Sequence, residues 1–283
     1  MLDPEIVDAF HRDGYVVVDG LLTDAELEHY EPLVTDAVAA RKRDAKPLAE
    51  RSPYEQSFHQ CINLWEDFPA VRPLTFHPRV GQAAAELLGI DAIRLWHDQA
   101  LYKEAGGRAT DAHQDHGYWP IRELDTVTAW IPLRGSTLAN GAMGYLPGSH
   151  AVGIRKFVNI FQAEDPSGLL DSPEIAGVEP FFVEVPRGSV AFHHGLTVHM
   201  AGPNTTAEDR AVHTIIYFAD GCTRRNARWH PSVDRDGIEV GAPIAGACTP
   251  IVWPRAEADL PAPPPPLPAE ILGIAGTGVL PQP

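Results

Sequence analysis

The stretch Asp111-Ala112-His113-Gln114-Asp115-His116-Gly117-Tyr118-Trp119-Pro120 sets an imidazole and a carboxylate two residues apart. On an extended segment, side chains two apart leave one face, so His113 and Asp115 would enter one space. A second histidine brought to them would complete a 2-His-1-carboxylate set, which holds non-haem Fe(II) and leaves coordination positions open. His193, His194 and His199 lie in a later stretch, His193 to Asn204, and each can supply that histidine. Position alone does not choose between them. Arg210 follows His199 by eleven residues and opens a β-type run. Next to a metal, its guanidinium could clamp the far carboxylate of a dicarboxylic co-substrate through paired hydrogen bonds.

These groups need a scaffold that brings distant segments together. Ile6, Val7 and Phe10 give Pro4 to Arg12 the spacing of a short amphipathic helix, ended by Asp13-Gly14. Tyr15-Val16-Val17-Val18 reads as a buried strand. Thr23-Asp24-Ala25-Glu26 is a capping box opening a second helix, with Leu27, Tyr30, Val34, Ala37 and Val38 on one face. Arg41 to Arg51 is charged and reads as a solvated loop, while Ser57 to Trp65 reads as a strand carrying Gln60 and Asn63. Pro78 suits the first turn of a helix to Leu88. From Ile93 to Phe218 the chain turns to short β-type runs: Ile93–Lys103, Thr126–Leu133, Gly144–Leu146, Phe181–Val185, Ser189–His193 and Ala211–Phe218. Many short strands punctuated by Gly and Pro predict a sandwich or barrel rather than alternating βαβ units. Ser167 to Pro180 has no clear period and reads as an insertion loop, and the proline run 261–268 as an extended arm on the body or a loose tail.

With 283 residues, 44% hydrophobic and 21% charged, the chain can form one large globular domain. A formal net charge of −16 argues against nucleic acid and anionic membranes as partners. Cys61, Cys222 and Cys248 show no paired spacing, which predicts free thiols and a reducing, cytoplasmic location. The N-terminus lacks the pattern of a signal peptide, and no apolar run approaches a bilayer span, so a soluble protein is expected.

The order His113, Asp115, His199, Arg210 resembles the iron(II)- and 2-oxoglutarate-dependent oxygenases, and more narrowly the phytanoyl-CoA dioxygenase family. Local stretches carry the likeness: His113-Gln114-Asp115 with Tyr118-Trp119-Pro120, Ala129-Trp130-Ile131-Pro132-Leu133, Asn140-Gly141, and Leu146-Pro147-Gly148-Ser149-His150. Gly188 to Phe192 with His199, Gly202, Asn204 and Arg210 fits the second ligand segment, and Gly14-Tyr15-Val16-Val17 fits the start. The likeness runs over about residues 5 to 220 and finds no counterpart after Thr223.

The resemblance implies a double-stranded β-helix, a cupin-like jelly roll with helices packed on one side. Residues 1–222 would form the dioxygenase domain, with N-terminal helices over about 1–90 and the jelly-roll core over about 91–222, and 223–283 a Pro-rich extension. It further implies that His113, Asp115 and His199 bind the iron, and that Arg210 holds the 2-oxoglutarate C5 carboxylate. Trp130 and Gln99 would line the co-substrate pocket, Asn63 would add an upstream polar contact, and His116, Tyr118 and Trp119 would face a small-molecule substrate. Two positions depart from the family pattern. Ala201 stands where a hydroxyl residue often touches the co-substrate, which leaves Thr197 or Thr214 to compensate; Gly188-Ser189 replaces a Gly-Asp turn. Asp115 is retained, unlike in related halogenases, which favours hydroxylation.

The implied reaction uses Fe(II), 2-oxoglutarate and dioxygen, releases succinate and CO2, and hydroxylates an aliphatic C–H of a metabolite. Two alternatives use the same residues differently: a Zn-dependent hydrolase, or a jelly-roll binding protein without catalysis. A serine hydrolase is disfavoured because Gly148-Ser149-His150 lacks the second glycine of a nucleophile elbow.

Overall fold

The computed structural model describes residues 1–41, 46–155, 169–170, 172–175, 177–256 and 259–266. Helix α1 (Pro4–Asp13) starts at Asp3, whose side chain accepts from the Glu5 N–H, and stops at Gly14 in the left-handed region. Strand β1 (Tyr15–Val18) follows, then α2 (Asp24–Arg41). The expected capping box is present: the Glu26 N–H donates to Thr23 Oγ1 at 3.2 Å and the Thr23 N–H to Glu26 Oε2 at 2.8 Å. Residues 42–45 of the charged tract and 167, 168, 171 and 176 of the insertion lie outside the described residues.

The single strand expected over Ser57 to Trp65 is three elements instead. Helix α3 (Pro53–Ser57) runs into β2 (His59–Ile62), and α4 (Leu64–Asp67) begins after Asn63. Asn63 takes φ 56°, a left-handed conformation that breaks the strand and turns the chain into the helix. Short α5 (Arg72–Thr75) and the predicted α6 (Pro78–Leu88) complete the helical part.

The remaining elements are β3 (Ile93–Lys103), β4 (Thr110–His113), β5 (Thr126–Pro132), β6 (Met143–Tyr145), β7 (Phe181–Val183), β8 (Val190–His194), β9 (His199–Ala201), β10 (Arg210–Ala219), α7 (Pro231–Asp234) and β11 (Ile251–Trp253). They form two facing antiparallel sheets, the jelly roll the sequence implies. The larger is ordered β1-β8-β5-β10-β3-β11, with β2 also paired to β3; the smaller is β4-β9-β6-β7. Alternation explains the layers. Ala129, Ile131, Ile215 and Tyr217 point outward and share a core with Leu27 and Val34 of α2 and Val80 and Leu87 of α6. Each such large aliphatic side chain, fully withdrawn from water, stabilises by roughly 1.5–3 kcal/mol. Trp130 and Val212 point inward and meet Met143 and Tyr145 of the smaller sheet.

One irregularity re-aims a strand. Ile216 pairs with His97 and Tyr217 with Leu95, so Trp96 is an extra residue in β3. This bulge shifts the alternation, and His97 and Gln99 both reach the space between the sheets.

Residues past 223 join the same body. Val233, Ile238 and Ile244 share a core with Trp96, Trp119 and Phe218, and β11 pairs with the end of β3. Among the described residues, no helix is long and apolar enough to cross a membrane.

Candidate metal centre

Cross-strand register brings the distant ligand to the first pair: His113 of β4 lies opposite His199 of β9. The chain stays extended through Gln114 (φ −115°, ψ 131°) before turning at Asp115, so His113 and Asp115 do leave one side. One ligand atom from each of His113, Asp115 and His199 lies within 4.8 Å of the others.

The hydrogen bonds behind these side chains fix what they present. His113 Nδ1 lies 2.8 Å from the Asp111 carbonyl, and His199 Nδ1 lies 3.0 Å from that of Thr197. A carbonyl only accepts, so both Nδ1 atoms carry the proton and both Nε2 atoms present a lone pair. Those lone pairs face Asp115 Oδ1 at 3.7 and 3.6 Å. Burial, and for His113 the neighbouring His199, pushes both imidazoles down to about 4, so they are neutral at pH 7. Burial alone would raise the Asp115 carboxyl, but the facing imidazoles of His199, His193 and His113 hold it well below the usual range. Three acceptors therefore converge with no proton between them, an arrangement that a bound cation would satisfy. The donor set, two imidazoles and a carboxylate, fits iron(II).

The other histidines are also sorted. His193 Nε2 lies 3.2 Å from Asp115 Oδ2, and Thr128 Oγ1 donates to the same oxygen at 3.0 Å. These two hold the carboxylate by one oxygen and leave Oδ1 for the ligand position. His194 turns away: its Nδ1 accepts from the Leu196 N–H, and its ring packs beside Phe10 and His150. Gln114, between His113 and Asp115, points to the opposite side. Its Nε2 donates to the carbonyls of Gly153 and Leu196, and its Oε1 accepts from the Arg155 N–H. Sequence reading passed over His193, Thr128 and Gln114 in these roles because each depends on a contact between segments far apart in the chain. Gly14 adds a further tie, since its carbonyl accepts from Thr197 Oγ1 at 2.7 Å. At φ 80°, with a Cβ there falling 2.6 Å from that hydroxyl, only glycine fits.

Beside the triad opens a cavity between the two sheets. Arg210 reaches it from the first position of β10, 3% exposed, with its guanidinium 5.1 Å over the Trp130 ring. Its Nη1 donates to the Gly141 carbonyl, while its Nε and Trp130 Nε1 are buried with no partner. Unpartnered buried donors beside a fixed cation make a receptor for a carboxylate. Gln99 lines the cavity and accepts from Gln60, which in turn accepts from Tyr54.

Tyr118 and Trp119 line this cavity; Asn63 and His116 do not. The polar side chain β2 turns inward is Gln60, because Asn63 lies past the end of the strand. His116 is fully buried behind Trp119, 3.4 Å from Thr126 Oγ1. Of the hydroxyls expected to replace the one missing at Ala201, Thr197 is committed to Gly14, and Thr214 lines the cavity but donates to the Gln99 carbonyl. Thr110 is the better placed. It pairs directly with Ala201 across β4 and β9, and its Oγ1 lies 3.4 Å from Lys103 Nζ. Burial pushes Lys103 down to about 6, and an amino group that donates to Oγ1 leaves the Thr110 proton free for the cavity.

The family model described as phytanoyl-CoA dioxygenase matches residues 10–212. A phytanoyl-CoA dioxygenase domain-containing protein 1 homolog from Caenorhabditis elegans is 22% identical over 275 residues, spanning 80% of this chain and 92% of the relative. Among solved structures, the non-heme alpha ketoglutarate dependent carbocyclase SnoK from nogalamycin biosynthesis superposes with TM-score 0.73 at 28% identity, covering 88% of this chain and 96% of that one. The epimerase SnoN, solved with Fe3+, alpha ketoglutarate and nogalamycin RO, gives TM-score 0.74 at 25% identity over 88% and 97%.

Proposed function

The chain belongs to the phytanoyl-CoA dioxygenase family, and from that premise we propose that it hydroxylates an aliphatic C–H of a small-molecule metabolite. It is an iron- and 2-oxoglutarate-dependent oxygenase. His113, Asp115 and His199 would hold the iron. When bound, iron(II) would activate dioxygen, the oxidant, one of whose oxygen atoms goes to succinate as 2-oxoglutarate loses CO2 and the other to the substrate C–H.

The protein's own groups do the positioning. His193 and Thr128 hold Asp115 by Oδ2 and would leave its Oδ1 for the iron. Arg210, stacked on Trp130, would bind the far carboxylate of 2-oxoglutarate, with Thr110 replacing the hydroxyl absent at Ala201. Gln99 would orient the same molecule through its remaining amide donor. Tyr118 and Trp119 would wall off water from the substrate side. Retention of a carboxylate at Asp115 weighs against halogenation. A metal-activated-water hydrolase would leave the buried Arg210–Trp130 receptor without a purpose. The three cysteines are buried free thiols, which supports a reducing, cytoplasmic setting.

The observation that carries this reading is the convergence of the His113 and His199 lone pairs on Asp115 Oδ1. The test is 2-oxoglutarate consumption with iron by purified protein and by His113→Ala. Continued consumption by the variant would overturn the reading.

A further inference from the structure

We infer that the substrate is an uncharged, ring-bearing molecule with hydroxyl or carbonyl oxygens, and that acyl-CoA thioesters are not substrates. This rests on the iron and 2-oxoglutarate reading above and narrows what occupies the rest of the cavity.

Charge balance supplies the first argument. Among the described residues, Asp115 and Arg210 are the only acidic and basic side chains of the cavity lining besides its imidazoles. Once iron and co-substrate are in place, Asp115 and the two co-substrate carboxylates offset iron(II) and the guanidinium. No charge is left over for an ionic substrate, and burying an unpaired ion costs several kcal/mol. The remaining polar groups are neutral hydrogen-bonders. Burial pushes His97 down to about 4, and its Nδ1 sits 3.3 Å from the Asp98 carbonyl, so its other nitrogen is a free acceptor.

Shape supplies the second argument. Beyond the triad the wall is Tyr54, Phe58, Ile62, Tyr118, Trp119 and Met200. Tyr54 and Phe58 meet edge to face, with ring centroids 5.0 Å apart, and Tyr118 packs against them. The Tyr118 ring also stands edge-on to His113, at 6.1 Å. Flat aromatic faces beside the metal suit stacking on a ring system.

Third, among the described residues, the arginines beside this wall are mostly committed to partners and leave little for the phosphates of CoA. Such a group needs free, clustered Lys or Arg. Among the described residues, Arg51 pairs with Glu104 at 3.2 Å, Arg108 with Asp111 at 3.3 Å and Arg155 with Glu174 at 3.0 Å. Arg225 donates to the Trp119 carbonyl at 3.0 Å and keeps a buried Nε without a partner, a single donor where a polyphosphate needs several. The net charge of −16 adds repulsion.

The test is equilibrium dialysis of full-length protein loaded with Zn(II) and 2-oxoglutarate, a form that does not turn over. The probes are fused-ring aryl methyl ketones from naphthalene upward, their carboxylates, and 2-naphthoyl-CoA. At least one ketone is expected to bind tenfold or more tightly than its carboxylate, and the CoA thioester not at all. Phe58→Arg, which places a cation in the apolar wall, should narrow or reverse the ketone-to-carboxylate ratio. Equal or tighter binding of the carboxylates or the thioester overturns the inference, as does binding of no ketone. Retention of 2-oxoglutarate in the same cell is scored separately, so failure of the underlying reading is seen as loss of that signal.

Discussion

Thr110 and Ala201 face each other across β4 and β9, so a hydroxyl absent from one strand is available from its neighbour. If Thr110 donates to the co-substrate carboxylate, Thr110→Val should raise the KM for 2-oxoglutarate roughly tenfold or more, the worth of a hydrogen bond to a charged group. Iron affinity should be unchanged. Ala201→Ser in the Thr110→Val background should recover most of the loss, since it restores a hydroxyl on the opposite strand. A 2-oxoglutarate titration of the three proteins decides it.

Arg210→Ala should cost far more 2-oxoglutarate affinity than iron affinity, because the guanidinium touches no ligand atom of the triad. Comparable loss of both would remove the clamp from the account. Calorimetry with each in turn is sufficient.

Removing the support of Asp115 should act on the metal instead. Thr128→Val or His193→Phe is expected to weaken Fe(II) or Co(II) binding by roughly tenfold to a hundredfold, typical for lost outer-shell partners. Retained affinity in both variants would mean that Asp115 is oriented by the backbone alone.

Asp98 gives a pH signature distinct from the site. It is fully buried, and burial pushes its carboxyl up to about 7, opposed by the Thr75 hydroxyl. A group whose folded value is raised favours folding below its unfolded value near 4, and that advantage fades as pH rises to about 7. Asp98→Asn keeps an acceptor for Thr75 and the Trp65 N–H without the charge. Its urea midpoint relative to the parent should therefore be higher at pH 8 than at pH 5; a constant difference would contradict the assignment.

The extension after residue 223 should matter to substrate and not to co-substrate. Arg228 donates to the Gly117 carbonyl at 3.1 Å and Arg225 to that of Trp119, tying the tail to the turn that carries Tyr118. Arg228→Ala should weaken binding of an aromatic ketone severalfold and leave 2-oxoglutarate binding as it was.

Much of this was legible from residues alone, and the reason is local. Capping at Thr23, the left-handed stop at Gly14, and the two-residue spacing of His113 and Asp115 are all written in neighbouring positions. The family pattern then added His199 and Arg210. Asn63 misled because a single left-handed residue ended the strand early, and propensity does not announce that turn. His116 misled because the chain turns at Asp115, which sends the next imidazole behind Trp119. His193, Thr128 and Thr110 act only through cross-strand partners, and register is not written in either strand by itself.

The order of the larger sheet also sets when it can exist. β1, β3 and β5 are separated from one another by β8 and β10, so each early strand of that path waits for a late neighbour. While a ribosome has released only the residues before 190, β3 has β2 beside it, and β1 and β5 have no partner in the sheet. The candidate metal centre shares this timing, because His113 meets His199 only after β9 emerges. Nearly all pairing is long-range, which favours slow, all-or-none folding. A nascent chain would therefore carry exposed strand edges until about residue 219 is made, and a stalled ribosome at that stage is where a chaperone would be needed.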